Sequence, residues 1–521
     1  MKRFLQGAAV AALIGGAGPA TAATCEGLAG MALADGRVES AVATKPSDMI
    51  ALGGTMPGLP AGAAFCRVKA TLKPTLSSDI KVEVWLPPAE AWNGKLLGAG
   101  NGGYGGGFGS PFLTMRGGVT RGYAAAGTDM GHTSATDIDA KWALNQPEKI
   151  KDFGYRANHV TAEAAKALVA AYYGTPQKRA YFHGCSDGGR EALMEARKFP
   201  ADYDAIIAGA PASPWTGLMS AFMWNDRLAT RPGGAIPNAK LALVTKAVMA
   251  QCDALDGVTD GVLEDPRACR FDPGKLQCKA GDGPDCLTPA QVETVRGLYR
   301  GPRTKAGNQL FSGFPAGGEG VPGAWDMWIT GPNAQHGRFA TEFFRYMVHS
   351  DPAWTGAGFD LDRDHARALK AFGGILDSAD PDLSAFQARG GKLLMYHGWA
   401  DAAIPAGNTV GYYEAVRGKL GAAKADPFIR LFMVPGMSHC LGGPGPNVFD
   451  VLGALDGWRE SGVAPETLVA RKTDNDIFGY LGFPAKTLRT RPLCAYPKVA
   501  RWIGQGSTDD AANFRCELAK R

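Results

Sequence analysis

The stretch His183-Gly184-Cys185-Ser186-Asp187-Gly188-Gly189 decides how the rest of the chain is read. Ahead of it, Ala180 to His183 has the make-up of a short strand, and helical spacing begins after Gly188. A G-x-S-x-G pentapeptide between a strand and a helix is the setting of a nucleophile elbow. The glycines stand where a Cβ would clash in a strained turn, so the Ser186 hydroxyl projects above the sheet and the next main-chain N–H faces the reacting oxygen.

Outward from this point the chain alternates. Ile80 to Leu86 sets Val82, Val84 and Leu86 at strand period, Lys95 to Gly98 runs into a glycine-rich loop, and Tyr123 to Gly127 reads as a third strand. Asn158 to Tyr173 has helical spacing, and Tyr203 to Ala208 supplies the strand after the elbow helix. Such alternation requires a mostly parallel sheet with crossover helices, so the fold class is α/β. Regular strands stop from about Ser213 to Leu383 and resume at Lys392 to Tyr396 and Phe428 to Val434. The expectation is an α/β-hydrolase fold with a large inserted lid: residues 24–212 and 389–521 form the catalytic domain and 213–388 the lid. After Gly443, a terminal helix and a loop stapled by Cys494 and Cys516 are expected.

A serine nucleophile in this fold needs an acid and then a histidine, each just past a strand. Lys392 to Tyr396 leads into His397-Gly398-Trp399-Ala400-Asp401, and Phe428 to Val434 leads into Pro435-Gly436-Met437-Ser438-His439-Cys440. In this reading His439 takes the Ser186 proton and returns it to the leaving alcohol, while Asp401 fixes the tautomer and stabilises the imidazolium. His397 is the rival among eight histidines, and its place beside Asp401 suits a loop-stabilising residue. Cys185 directly precedes Ser186 and Cys440 directly follows His439, so a bond between them would tie the two loops together. Disulfides join Cα atoms about 4.4 to 6.8 Å apart, a separation that suits the neighbours of hydrogen-bonded residues.

The loop from Gly98 through Gly107 also matches G-x-G-x-x-G, but it stays glycine-rich through Gly109 and is not expected to open the helix that a dinucleotide pyrophosphate needs. It is expected instead to supply an oxyanion-hole N–H from Gly102, with Gly103 the alternative, beside that of Asp187. Inside the insertion, Asp253, Asp256, Asp260, Glu264 and Asp265 are interleaved with Gly257 and Gly261 and bracketed by Cys252 and Cys269. Close carboxylates among glycines suit a hard, oxygen-seeking cation such as Ca2+, here expected as a structural ion that stiffens the lid. Trp325, Trp328, Phe344 and Trp354 are read as core residues, with lining of an aromatic acyl pocket the alternative.

Composition limits the classes open to the chain. Its 521 residues are 45% hydrophobic, enough for a large core, and a net charge of +5 with scattered basic residues gives no case for nucleic acid or an anionic membrane. Met1-Lys2-Arg3, an apolar run from Ala8 to Ala17, and Pro19-Ala20-Thr21-Ala22-Ala23 read as a signal peptide over residues 1–23, which predicts export to the periplasm or the medium. Ten cysteines with no C-x-x-C pair are then expected as disulfides. Oligomeric state is left open.

With these residues in hand, the chain resembles the tannase and feruloyl esterase family, which includes terephthalate-monoester hydrolases. The marks are Gly184-Cys185-Ser186-Asp187-Gly188-Gly189-Arg190, His397-Gly398-Trp399-Ala400-Asp401, Ser438-His439-Cys440 and the acidic loop. The resemblance implies Ser186, Asp401 and His439 as the triad, and calcium held by the side chains of Asp253, Asp256 and Asp260 with the main-chain oxygens of Val258 and Val262. It also implies pairing of Cys185 with Cys440, Cys25 with Cys66, Cys252 with Cys269, Cys278 with Cys286, and Cys494 with Cys516. The implied activity is hydrolysis of an aromatic, phenolic-acid ester through an acyl-enzyme. A terephthalate-monoester hydrolase, an acyltransferase with the same triad, and a non-catalytic, calcium-stabilised carbohydrate-binding protein are the alternatives.

Overall fold

The computed structural model describes residues 22–52 and 58–519. The segment read as a signal peptide lies outside the described residues as far as Thr21. Ten strands make one sheet: β1 Ala32–Leu33, β2 Gly36–Thr44, β3 Phe65–Leu72, β4 Ile80–Leu86, β5 Lys95–Ala99, β6 Ala124–Thr128, β7 Arg179–Cys185, β8 Ala205–Gly209, β9 Lys392–Gly398 and β10 Ile429–Val434. Their order across the sheet is β1-β2-β3-β4-β6-β5-β7-β8-β9-β10. Pairing is antiparallel from β1 through β4 to β6 and parallel from β6 onward to β10. This is the α/β-hydrolase architecture.

The parallel strands are apolar on both faces because both faces are covered. Leu96, Phe182, Ile206 and Met395 pack into one core, while their neighbours Leu97, Tyr181, Ile207 and Leu394 pack into the other. Helices α1 Gly109–Val119, α2 Ala157–Tyr173 and α3 Asp187–Lys198 connect β5 through β8. The glycine-rich loop does therefore open a helix, at Gly109. Residues 100–108 of the loop are neither strand nor helix, so α1 starts well beyond Gly100.

Between β8 and β9 lie α4 Trp215–Thr230, α5 Asn238–Cys252, α6 Pro289–Arg300, α7 Gln335–Glu342 and α8 Leu361–Leu376. Local sequence sets these limits: α6 begins with a capping box in which Thr288 and Gln291 exchange hydrogen bonds and Pro289 occupies the first turn, an arrangement worth about 1 kcal/mol. Part of this insertion has a core of its own around Val244, Val295 and Trp325. Trp215, Leu218 and Phe222 of α4 instead join the core under the sheet.

Past β9 the chain forms α9 Gly407–Leu420, then β10 and α10 Val451–Ser461. The helix expected after Gly443 is α10, but the segment beyond it is strand rather than loop. Two antiparallel hairpins follow α10: β11 Thr467–Thr473 with β12 Thr487–Cys494, and β13 Lys498–Trp502 with β14 Phe514–Leu518. The Cys494–Cys516 bond joins the two hairpins. Among the described residues no helix is long and apolar enough to cross a membrane.

Candidate active site

β7 ends at Cys185, and the next residue carries the turn. Ser186 has φ 65° and ψ −123°, a left-handed conformation that costs a side-chain-bearing residue about 1–3 kcal/mol. Its N–H donates to Gly209 O at 3.0 Å, which holds the turn against β8. A Cβ on Gly184 would lie 2.2 Å from Gly188 O, so only glycine permits the strand and helix to approach this closely.

β9 and β10 bring the other two residues to the same edge of the sheet. Ser186 Oγ lies 2.9 Å from His439 Nε2, and His439 Nδ1 lies 2.7 Å from Asp401 Oδ2. Asp401 Oδ1 accepts the N–H groups of Ala403 and Ile404 at 2.8 and 2.9 Å. Burial opposes ionisation of Asp401, but the charge of His439 and hydrogen bonds from His397 and His439 outweigh it and hold the carboxyl well below its ordinary range. His397 is fully buried, with Nδ1 2.7 Å from Thr409 Oγ1 and Nε2 2.9 Å from Ile404 O, so it braces the acid loop. The Cys185–Cys440 bond spans 6.1 Å between Cα atoms and joins the strand end before Ser186 to the loop after His439.

Of the N–H groups expected at the oxyanion position, that of Asp187 has no acceptor among the described residues. The Gly102 N–H donates to Asn101 Oδ1 at 2.9 Å. Gly103, the alternative, has an N–H with no acceptor among the described residues. Its φ of 57° and the 2.3 Å approach of Asp137 O to a built Cβ restrict the position to glycine.

Above the three residues opens a cavity of about 720 Å³. Its lining includes Trp215 and Phe222 of α4, Trp328, Phe339 of α7, Leu52, Ile477 and Tyr480. Trp328 meets the His439 ring edge-on with centroids 5.4 Å apart. No lysine or arginine is among the described lining residues. Of the four aromatics singled out in the sequence, Trp328 alone lines this cavity, whereas Trp325 and Phe344 are core.

The family model described as tannase and feruloyl esterase matches residues 66–517. The chain belongs to the tannase and feruloyl esterase family. An uncharacterised esterase of Xanthomonas campestris is 38% identical over 98% of this chain and 93% of its own length. The mono(2-hydroxyethyl) terephthalate hydrolase of Piscinibacter sakaiensis is 35% identical over 82% and 80%. Among solved structures, feruloyl esterase B from Aspergillus oryzae superposes with a TM-score of 0.85 at 29% identity, covering 95% of this chain and 99% of that one. This member of the family is a carboxylic ester hydrolase.

All ten cysteines are paired: Cys25–Cys66, Cys185–Cys440, Cys252–Cys269, Cys278–Cys286 and Cys494–Cys516. The acidic loop of this tannase-family chain, closed by the third of these bonds, folds back on itself. Asp253 accepts the Gly261 N–H, Asp256 accepts those of Val258 and Glu264, and Asp260 accepts that of Val262 and pairs with Arg489 and Arg491 of β12. Among the described residues no three His, Cys, Asp or Glu side chains converge as a metal-holding group. The donor chemistry nonetheless suits a hard cation. Asp253 and Glu264 are buried, burial raises the Asp256 carboxyl, and the carbonyls of the buried Val258 and Val262 accept no hydrogen bond among the described residues.

Proposed function

We propose that this esterase hydrolyses esters of uncharged aromatic acids, the feruloyl or galloyl type, through an acyl-enzyme on Ser186. The observation that carries the reading is the run of contacts from Ser186 Oγ to His439 Nε2 at 2.9 Å and from His439 Nδ1 to Asp401 Oδ2 at 2.7 Å. Ser186 Oγ attacks the ester carbonyl as its proton passes to His439 Nε2, and the carbonyl electron pair moves onto oxygen. The Asp187 N–H and one from the Gly102 and Gly103 turn receive that charge. Collapse expels the alkoxide, which takes the proton back from His439, and leaves an acyl-Ser186 ester. Water then repeats the sequence and releases the acid. Asp401 stays ionised throughout and holds the Nδ1–H tautomer.

The apolar cavity, with no lysine or arginine among its described lining residues, supports a neutral aromatic acyl group over a terephthalate monoester, whose second carboxylate would be buried without a cation. A panel of methyl ferulate, methyl gallate and a terephthalate monoester tests this: kcat/KM is expected to favour the first two by at least about tenfold, the cost of roughly 1.4 kcal/mol. Preference for the terephthalate monoester contradicts the reading. Five disulfides and the charged, then apolar N-terminus support an exported protein. Asp253, Asp256 and Asp260 with the Val258 and Val262 carbonyls are the residues that would hold calcium, which when bound supplies charge to offset the crowded carboxylates.

A further inference from the structure

The helix that follows Ser186 carries Asp187, Glu191 and Glu195 at helical spacing along one side, and all three are buried. Asp187 Oδ1 accepts Arg190 Nε at 2.5 Å, and the rest of that guanidinium donates to the main-chain oxygens of Gly154 and Phe153. The other Asp187 oxygen, Oδ2, has no donor, and neither has Glu191 Oε1. Glu191 Oε2 accepts the Asn101 N–H at 3.0 Å. Asp187 and Glu191 stand at i and i+4, so their carboxyls are neighbours on the buried side of this helix.

Two buried carboxyl oxygens in reach of each other cannot both be anionic without strong repulsion in a medium of low polarity. One proton between them removes the repulsion and gives each orphaned oxygen a partner. Arg190 decides where the proton resides: its cation faces Asp187, whereas Glu191 has only an uncharged N–H on its other oxygen.

We infer that Glu191 is a neutral carboxylic acid that donates from Oε1 to Asp187 Oδ2 while accepting the Asn101 N–H at Oε2, and that it thereby acts as the positioning residue for the oxyanion hole. Burial first, and then the charge of Asp187, push its carboxyl well above the ordinary range. The groups facing it are Asp187 and Arg190 of its own helix, with Glu195 one turn on and Tyr203 from the strand approach.

This role rests on the reading of Ser186 as the nucleophile. Asp187 supplies one oxyanion N–H, and Asn101 leads directly into Gly102 and Gly103, which supply the other. Glu191 is the side chain that grips both. Asn101 is further fixed because its carbonyl accepts the Gly188 N–H at 2.9 Å and its amide donates to Gly107 O and Thr128 O. The loop has no slack, since a Cβ on Gly100 would meet Gly188 Cα at 2.7 Å and Glu191 Oε2 at 3.0 Å. Removing the Glu191 carboxyl releases the loop from the nucleophile helix at the spot where a misplacement of about 1 Å costs on the order of a hundredfold.

The test compares Glu191→Gln with Glu191→Ala on an activated aryl ester. Gln reproduces the neutral acid, with an oxygen for the Asn101 N–H and an N–H for Asp187, and is expected to keep kcat within about threefold. Ala is expected to lower kcat by about 10- to 100-fold with KM within about twofold, because oxyanion contacts strengthen only in the transition state. An equal loss in both variants overturns the neutral acid, and unchanged kcat in a folded Ala variant overturns the positioning role. If the Ala variant does not fold, the Gln variant and the infrared difference spectrum between wild type and E191Q decide. A carboxylic-acid carbonyl stretch lost in E191Q at neutral pH supports the assignment, and its absence from wild type overturns it. Ser186→Ala is assayed alongside: its full activity would sink the nucleophile reading, whereas the infrared band reports on Glu191 alone.

Discussion

His397 and Asp401 are in direct contact, with Nε2 of the histidine 3.1 Å from Oδ2 of the aspartate, the same oxygen that receives the His439 Nδ1–H. Two histidines thus bracket one carboxylate oxygen, and the buried one is anchored by Thr409. Replacing His397 with Phe removes a donor from Asp401 and leaves Thr409 unpaired. A fall in kcat of about tenfold is expected, smaller than the roughly 10⁴-fold loss that amide substitution of a triad aspartate gives in serine proteases. Steady-state kinetics of His397→Phe and Asp401→Asn side by side measure both, and the order of the two losses is the prediction.

The Cys185–Cys440 bond closes a separation of 255 residues across the two loops that bear Ser186 and His439. A Cys185→Ser, Cys440→Ser double variant is predicted to lose about 2–5 kcal/mol of stability. It should also lose kcat disproportionately to the Cys278→Ser, Cys286→Ser variant, whose bond spans only 8 residues within the insertion. Thermal melts and kcat on the same samples separate the two effects.

Asp129, at the end of the sheet strand β6, gives a pH signature of its own. Burial pushes its carboxyl up to about 7, against the hydrogen bonds it accepts from Gly131 and Lys81. Between about pH 4 and 7 the folded state therefore holds a proton that the unfolded state has released, so this residue makes stability fall as pH rises across that window. Asp129→Asn keeps an oxygen for both N–H groups and removes the titration. Relative to wild type it should gain stability as pH rises from 4 to 7, by at most about 4 kcal/mol, as read from denaturant unfolding at each pH.

Chelation tests the acidic loop. If calcium occupies the loop of Asp253, Asp256 and Asp260, removing it should lower the melting temperature by several degrees, on the order of 1–3 kcal/mol for a site held at a hundred times its Kd. Added calcium should restore it. A melting curve that chelator leaves unchanged counts against the site.

The motifs around Ser186, Asp401 and His439 were legible because their geometry is written locally. A glycine at 184 and another at 188 report the close approach at the elbow, and the strands leading into Asp401 and His439 carry the apolar runs Leu393 to Tyr396 and Leu431 to Val434. The cavity was not legible in this way, since Leu52, Trp215, Trp328 and Ile477 come from four distant segments and meet only in the folded chain. β2 is not legible for a local reason: its two buried residues, Val38 and Ala41, are three apart because the register shifts between Val38 and Ser40, which breaks the period of two. The terminal hairpins were not legible either, because in β11 the apolar Val469 is exposed between buried Leu468 and Ala470 and hides the period of two.

The most direct test of the nucleophile assignment is rapid-quench mass spectrometry with methyl ferulate followed by peptide mapping. One feruloyl group on the peptide containing Ser186 is predicted in wild type before steady state, and none in Ser186→Ala, whose kcat should fall by at least about 10⁴-fold. Turnover by Ser186→Ala at the wild-type rate, or an acyl group mapped to any other residue, would contradict the account.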